Sequence, residues 1–216
     1  MTATDSGTPR SLAALNRLII DAPPGVKGGS RAVLGEGPLH PALAFVGEKP
    51  GDQEDREGRP FVGPAGKLLD RALEEAGIDR DTVYVTNAVK HFKYEQRGKR
   101  RLHAKPSAGE VTHYRWWLKK ELELVKPRVT VALGATAVLA LEGHALPIGK
   151  NRGPATFDGQ RGFITVHPSA VLRIPEAKER QRAFRAFIGD LIQAKALAAG
   201  EEEGGGVKVT RQQKGA

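Results

Sequence analysis

The chain has 216 residues, no cysteine, and 34 basic against 25 acidic side chains, a formal net charge of +9. The missing cysteines exclude disulfides, thiolate nucleophiles and cysteine-ligated metal clusters, and no apolar run reaches the roughly 18 residues of a membrane-spanning helix. With 39% apolar residues one sizeable core is possible, and the positive balance points to a polyanionic partner such as nucleic acid, although a basic surface also serves solubility alone.

Residues 1–10 read as a disordered lead. Its sequence, MTATDSGTPR, lacks the basic-then-apolar order of a secretory signal, so the cytoplasm is the expected compartment. Residues 11–199 read as one domain and 200–216 as a disordered tail poor in aromatic residues. Ser11 caps a helix whose apolar face is Leu12, Leu15, Leu18 and Ile19. Residues 22–41, rich in Pro and Gly, are expected to be irregular surface chain.

Leu43 to Val46 reads as a buried strand that feeds the loop GEKPGDQEDREGRPFVGPAG, Gly47 to Gly66. So much glycine, proline and charge cannot be buried cheaply, which places this loop on the rim of a site. Pro64 then opens a helix to Ala76 with Leu68, Leu69, Ala72 and Leu73 inward and Gly77 as its stop. Val83 to Val89 is the second strand. The tract KHFKYEQRGKRRLHAK, Lys90 to Lys105, shows no apolar periodicity and reads as an exposed loop offering Lys90, Lys93, Arg97, Lys99, Arg100 and Arg101 to phosphates.

Ser107 and Glu110 form a capping box for a helix to Val125, Val129 to Leu133 is a third strand, and Ala135 to Leu141 a short helix ended by Gly143. Between His144 and Gly162 only Ala155 to Phe157 suggests a hairpin arm. Phe163 to Val166 is the fourth core strand, with His167, Pro168 and Ser169 at its end, and Glu176 to Ala199 is the last helix. Four apolar strands alternating with helices make this an α/β chain with a mostly parallel four-stranded sheet covered on both faces. Ligands of such sheets bind beyond the carboxyl ends of the strands, which here carry Gly47 and Glu48, Asn87, Gly134, and His167.

Each of these residues has a plainer reading. Asn87 can be a turn former, Phe61 a loop anchor packed in the core, His167 a satisfied strand-end histidine, and His103 a solvated phosphate contact. Neither a Walker lysine motif nor GxGxxG is present, which argues against generic nucleotide binding.

The ordered set GEKPG, RPFVGPAG, TNAVKHF, KRRLH, ALGATA and HPSAVLR resembles the uracil-DNA glycosylase superfamily over about Leu34 to Leu191. It resembles most the X-type branch, whose members become covalently joined to uracil-containing DNA through a histidine. The resemblance implies a three-layer α/β/α sandwich and implies roles. Glu48, His103 and His167 would be catalytic, with His103 attacking the sugar, Glu48 activating it, and His167 hydrogen-bonding uracil O2. Gly47, Asp52, Gln53, Phe61 and Asn87 would line the substrate site, and Lys99, Arg100, Arg101, Ser169 and Arg173 would hold the DNA backbone. The partner would be uracil-containing DNA, preferably single-stranded, bound by a monomer. A turnover glycosylase in which Glu48 activates water, and a noncatalytic DNA-binding module, remain alternatives.

Two departures accompany the resemblance. Relatives bind an iron-sulfur cluster through cysteines, whereas this chain has none and carries Tyr114 at the matching helix position, so no cofactor is expected. Lys49 stands where the X-type loop usually has glutamine, which places an ammonium beside Glu48.

Overall fold

The computed structural model describes residues 8–200. The lead and tail expectations therefore lie mostly outside the described residues. Helix α1 (Leu12–Asp21) begins at Ser11, whose hydroxyl accepts the Ala14 N–H; Leu15 and Ile19 are buried while Leu18 faces out. The next strands and helices are β1 (Gly28–Ala32), β2 (Leu43–Gly47), α2 (Asp52–Glu57), α3 (Pro64–Glu75), β3 (Tyr84–Asn87), β4 (His91–Arg97) and β5 (Arg100–His103). Helix α4 (Ala108–Val125), β6 (Val129–Leu133), α5 (Ala135–Glu142), α6 (Ile148–Asn151), β7 (Gly153–Phe157), β8 (Gln160–Thr165), α7 (Pro168–Leu172) and α8 (Ala177–Ala199) complete the order.

The central sheet runs β3-β2-β6-β8-β7, with the first four strands parallel and β7 antiparallel at the edge. It has five strands rather than four, because the hairpin arm suspected at Ala155 joins the edge. Side chains alternate between the two faces, as strand geometry requires. Leu43, Phe45, Val85, Val131 and Phe163 pack with α3 and α8, whereas Val46, Ala132 and Ile164 pack with α4 and α5. Burial on both faces is what produces near-continuous apolar strands, and it gives the three-layer α/β/α architecture.

Three expectations need correction. The chain before β2 is not wholly irregular, since β1 pairs antiparallel with β4 in a separate sheet β1-β4-β5. The basic tract is not a loop but the β4–β5 hairpin, in register from Tyr94↔His103 to Arg97↔Arg100. Its strand pairing is backbone-driven, so charged side chains hide the usual apolar signal. The long loop after β2 contains α2, and Glu54 and Asp55 within it are buried. Glu54 accepts the N–H of Gly51 at 3.0 Å and of Gly63 at 3.1 Å, so one carboxylate satisfies backbone groups that the loop would otherwise leave orphaned.

Lys90 is also not a phosphate contact. It is fully buried, with its ammonium 2.5 Å from Glu121 and 2.9 Å from the Asn87 carbonyl. Tyr84 and Thr86 donate to the same Glu121 carboxylate at 2.9 and 3.0 Å, tying β3 to α4. Removing one partner leaves a buried charge uncompensated, so Lys90→Met should lower unfolding free energy by about 3–5 kcal/mol in urea titrations. The joint change Lys90→Met with Glu121→Leu should recover part of that loss.

Candidate active site

The strand ends converge as parallel pairing dictates. Gly47 lies opposite Asn87 in register, and Leu133 opposite Thr165. Beyond them opens a cleft of about 760 Å³, whose walls include Glu48, Lys49, His103, Thr136 and His167. The β4–β5 hairpin thus carries His103 to a wall that the parallel sheet alone would not supply.

Gly47, Phe61 and Asn87 form a group joined to this cleft through Glu48 and through His167. A Cβ on Gly47 would fall 2.4 Å from Asn87 Oδ1 and 2.7 Å from the Phe61 ring, so only glycine keeps that space clear. Asn87 is buried, with its Oδ1 facing Gly47. Phe61 is buried in the core with φ at +57°, an uncommon conformation for a side-chain-bearing residue. Its ring stacks on that of His167, with centroids 6.5 Å apart and planes at 27°.

His167 caps α7. Its Nδ1 accepts the Ser169 N–H at 3.1 Å and faces the Ser169 hydroxyl at 2.8 Å. The neutral ring therefore carries its hydrogen on Nε2, free to donate to a ligand. Burial pushes its pKa down to about 4, against the upward pull of Glu48, so the ring is a neutral donor at physiological pH. Gly134, at φ +86°, lets the β6–α5 turn approach it, since a Cβ there would lie 3.0 Å from His167 Cβ.

Glu48 accepts the Thr136 hydroxyl at 2.6 Å, which orients the carboxylate. Thr136 was missed as a site residue, although its place just after the third predicted strand was the available signal. Lys49 Nζ lies 3.3 Å from His103 Nδ1 and 4.9 Å from the Phe92 ring centroid. Burial lowers the Lys49 pKa against the pull of Glu48 and Glu54. Burial likewise lowers that of His103, and the Lys49 charge lowers it further.

The basic residues divide into two sets. Arg97, Lys99 and Arg100 are exposed at the hairpin tip. Arg101, expected to meet phosphate, instead turns inward, 2.5 Å from both Asp52 and Asp55; the two carboxylates outcompete water for a planar donor fork. Asp52, expected at the substrate, is thereby committed to Arg101 while remaining in the cleft wall, and Gln53 lines the same wall. Lys93 pairs with Glu110 at 2.8 Å. Ser169 and Arg173 share the cleft, with the Arg173 guanidinium 3.2 Å from the Ser169 hydroxyl.

The residues at the cluster position of the resembled proteins do not fit an iron-sulfur cluster. The Tyr114 hydroxyl accepts the Gly25 N–H at 2.8 Å and lies 2.7 Å from His91 Nδ1. This offers no thiolate, and among the described residues no group of three or more His, Cys, Asp or Glu could hold a metal ion. No described helix is long and apolar enough to cross a membrane.

A sequence model of the uracil DNA glycosylase superfamily matches residues 34–192. The chain is 42% identical over 147 residues to a type-4 uracil-DNA glycosylase of Thermotoga maritima, covering 67% of this chain and 73% of that protein. It is 38% identical over 168 residues to a type-4 uracil-DNA glycosylase of Pyrobaculum aerophilum, covering 73% and 82%. A type-5 uracil-DNA glycosylase of the same organism is 32% identical over 151 residues, covering 62% and 63%.

The His167 assignment carries a pH consequence. With a folded pKa near 4 and an ordinary value of 6.5, the unfolded chain binds a proton there first. Stability contributed by the neutral ring is complete above pH 6.5 and is lost as pH falls toward 4. Thermal melting of His167→Asn should therefore fall less steeply than the parent's across that window; parallel curves would remove the neutral His167 ring as the cause.

Proposed function

Because the chain belongs to the uracil-DNA glycosylase superfamily, we propose that it excises uracil from DNA and keeps the resulting sugar on His103, as an X-type enzyme. The uracil is extruded from the strand into the pocket. Asn87 reads its edge, donating to O4 and accepting from N3–H, a pattern that cytosine reverses. Phe61 offers a ring face to the base. His167 donates Nε2–H to O2, where charge grows as the glycosidic bond breaks, so the hydrogen bond strengthens in the transition state. Glu48, held by Thr136, stands beside the developing sugar cation and His103.

The observation that carries the covalent reading is the placement of His103. A histidine from a peripheral hairpin shares one cleft wall with Glu48 and His167, and its ring rests edge-on against Phe92 at 4.8 Å. A residue that only touched phosphate would need no such seat. Lys99, Arg100, Ser169 and Arg173 are assigned to the backbone of a DNA strand, single-stranded by preference, approached by a monomer. The second reading, turnover through a Glu48-activated water, is favoured by one contact, the Lys49 ammonium beside His103 Nδ1.

A uracil-containing single-stranded oligonucleotide, run on a denaturing gel beside a thymine control, separates these readings. The expected result is an adduct that survives denaturation, forms only with uracil, and disappears in His103→Ser. Free uracil without any adduct would leave turnover, and neither product with DNA binding intact would leave a binding module. We further propose that the protein works without an iron-sulfur cluster, with the Gly25–Tyr114–His91 hydrogen bonds occupying that position. Anaerobically purified protein should contain no stoichiometric iron and no visible absorbance band; finding both would end this part of the reading.

A further inference from the structure

The covalent reading leaves one contact unexplained. Lys49 Nζ sits 3.3 Å from His103 Nδ1, a nitrogen that does not itself need to reach the substrate. With Nδ1 engaged, Nε2 is the ring nitrogen left for the sugar, and it makes no hydrogen bond among the described residues. Resting on the reading above, we infer that Lys49 is a positioning residue that decides whether His103 Nε2 has a lone pair to offer. As an ammonium, Lys49 can only donate to Nδ1, which puts the ring hydrogen on Nε2 and blocks attack. As an amine it accepts Nδ1–H, which leaves the Nε2 lone pair free.

The covalent step then balances. The Nε2 lone pair forms a bond to the anomeric carbon while the glycosidic electron pair leaves with uracil as its anion. The ring, now cationic, gives its Nδ1 proton to the Lys49 amine, producing a neutral alkylated imidazole and an ammonium. The departed uracil anion takes its proton from solvent. With Lys49 already protonated, no acceptor exists at Nδ1 and no lone pair at Nε2, so water has the sugar to itself. Lys49 thus sets the partition between retained and released product.

The charges around the pair pull in both directions. Glu48 and Glu54 favour the Lys49 ammonium, whereas burial favours the amine. Asp52, Glu54 and Glu48 favour a protonated His103, opposed by burial and by Lys49 itself. Arg101 lies over the same Phe92 ring on which Lys49 and His103 rest, its charge offset by Asp52 and Asp55. Burial and the Lys49 charge lower the His103 pKa, and the Lys49 variants separate the Lys49 titration from that of the ring.

The test reads the ratio of adduct to free uracil from about pH 6 to about pH 10, with His103→Ser as the zero. In the parent the ratio should climb on the order of tenfold with pH. Lys49→Arg, a permanent cation, should stay at the His103→Ser level throughout. Lys49→Gln, uncharged and able to accept Nδ1–H, should give a high ratio with little pH dependence. Imidazole nitrogen-15 shifts of the parent read the same switch without any variant, moving from Nε2–H to Nδ1–H as pH rises. Unchanged ratios in both variants, or one tautomer at every pH, would overturn the inference while leaving capture intact. No adduct in any protein would overturn capture and this inference together.

Discussion

A lysine and a glutamate with no access to water hold β3 against α4. Lys90 and Glu121 cannot be replaced singly without stranding a charge, so the chain has built around them a full set of partners: the Tyr84 and Thr86 hydroxyls and the Asn87 carbonyl. Those partners lie on β3, while Glu121 lies on α4 and Lys90 stands just before the hairpin. The same ion pair therefore fixes the backbone of Asn87, the angle of α4, and the root from which β4 and β5 carry His103 to the cleft.

The cleft is assembled from pieces with different stiffness. Gly47, Asn87 and His167 are set by a parallel sheet buried on both faces, where packing leaves little freedom. Glu48 is held by a single hydroxyl from α5. His103 depends on the outer strand of the small sheet β1-β4-β5, braced by Arg101 against Asp52 and Asp55. Reading a base requires the first kind of support, since hydrogen-bond discrimination depends on fixed donors. In the proposed mechanism, choosing what becomes of the sugar falls to the more peripheral part.

The sheet strands and long helices were legible because burial on both faces writes itself as apolar runs and three-four spacing. The capping box at Ser107 and Glu110 was legible for a similarly local reason, and both of its hydrogen bonds are present. The hairpin was not, because its strands are held by backbone pairing beneath charged side chains. Lys90 looked like its neighbours Lys93 and Lys99, and nothing in a single sequence says that its partner is a glutamate 31 positions away. The strand-end residues Gly47, Asn87 and His167 could be named from topology alone. The Lys49–His103 contact depends on segments 54 positions apart meeting across the cleft, which spacing does not encode.

Arg101 has a consequence for how the protein meets a charged strand. Of six basic residues between Lys90 and Arg101, three are already neutralised within the fold: Lys90 by Glu121, Lys93 by Glu110, and Arg101 by two aspartates. In the proposed complex, Arg97, Lys99 and Arg100 remain to displace counterions from a phosphate backbone. Each phosphate neutralised on a single strand adds about 0.7 to the logarithmic salt slope, so three of these six cations are silent in that measure. The hairpin is thus a weaker electrostatic magnet than its composition suggests, and its internal ion pairs hold in place the histidine at its end.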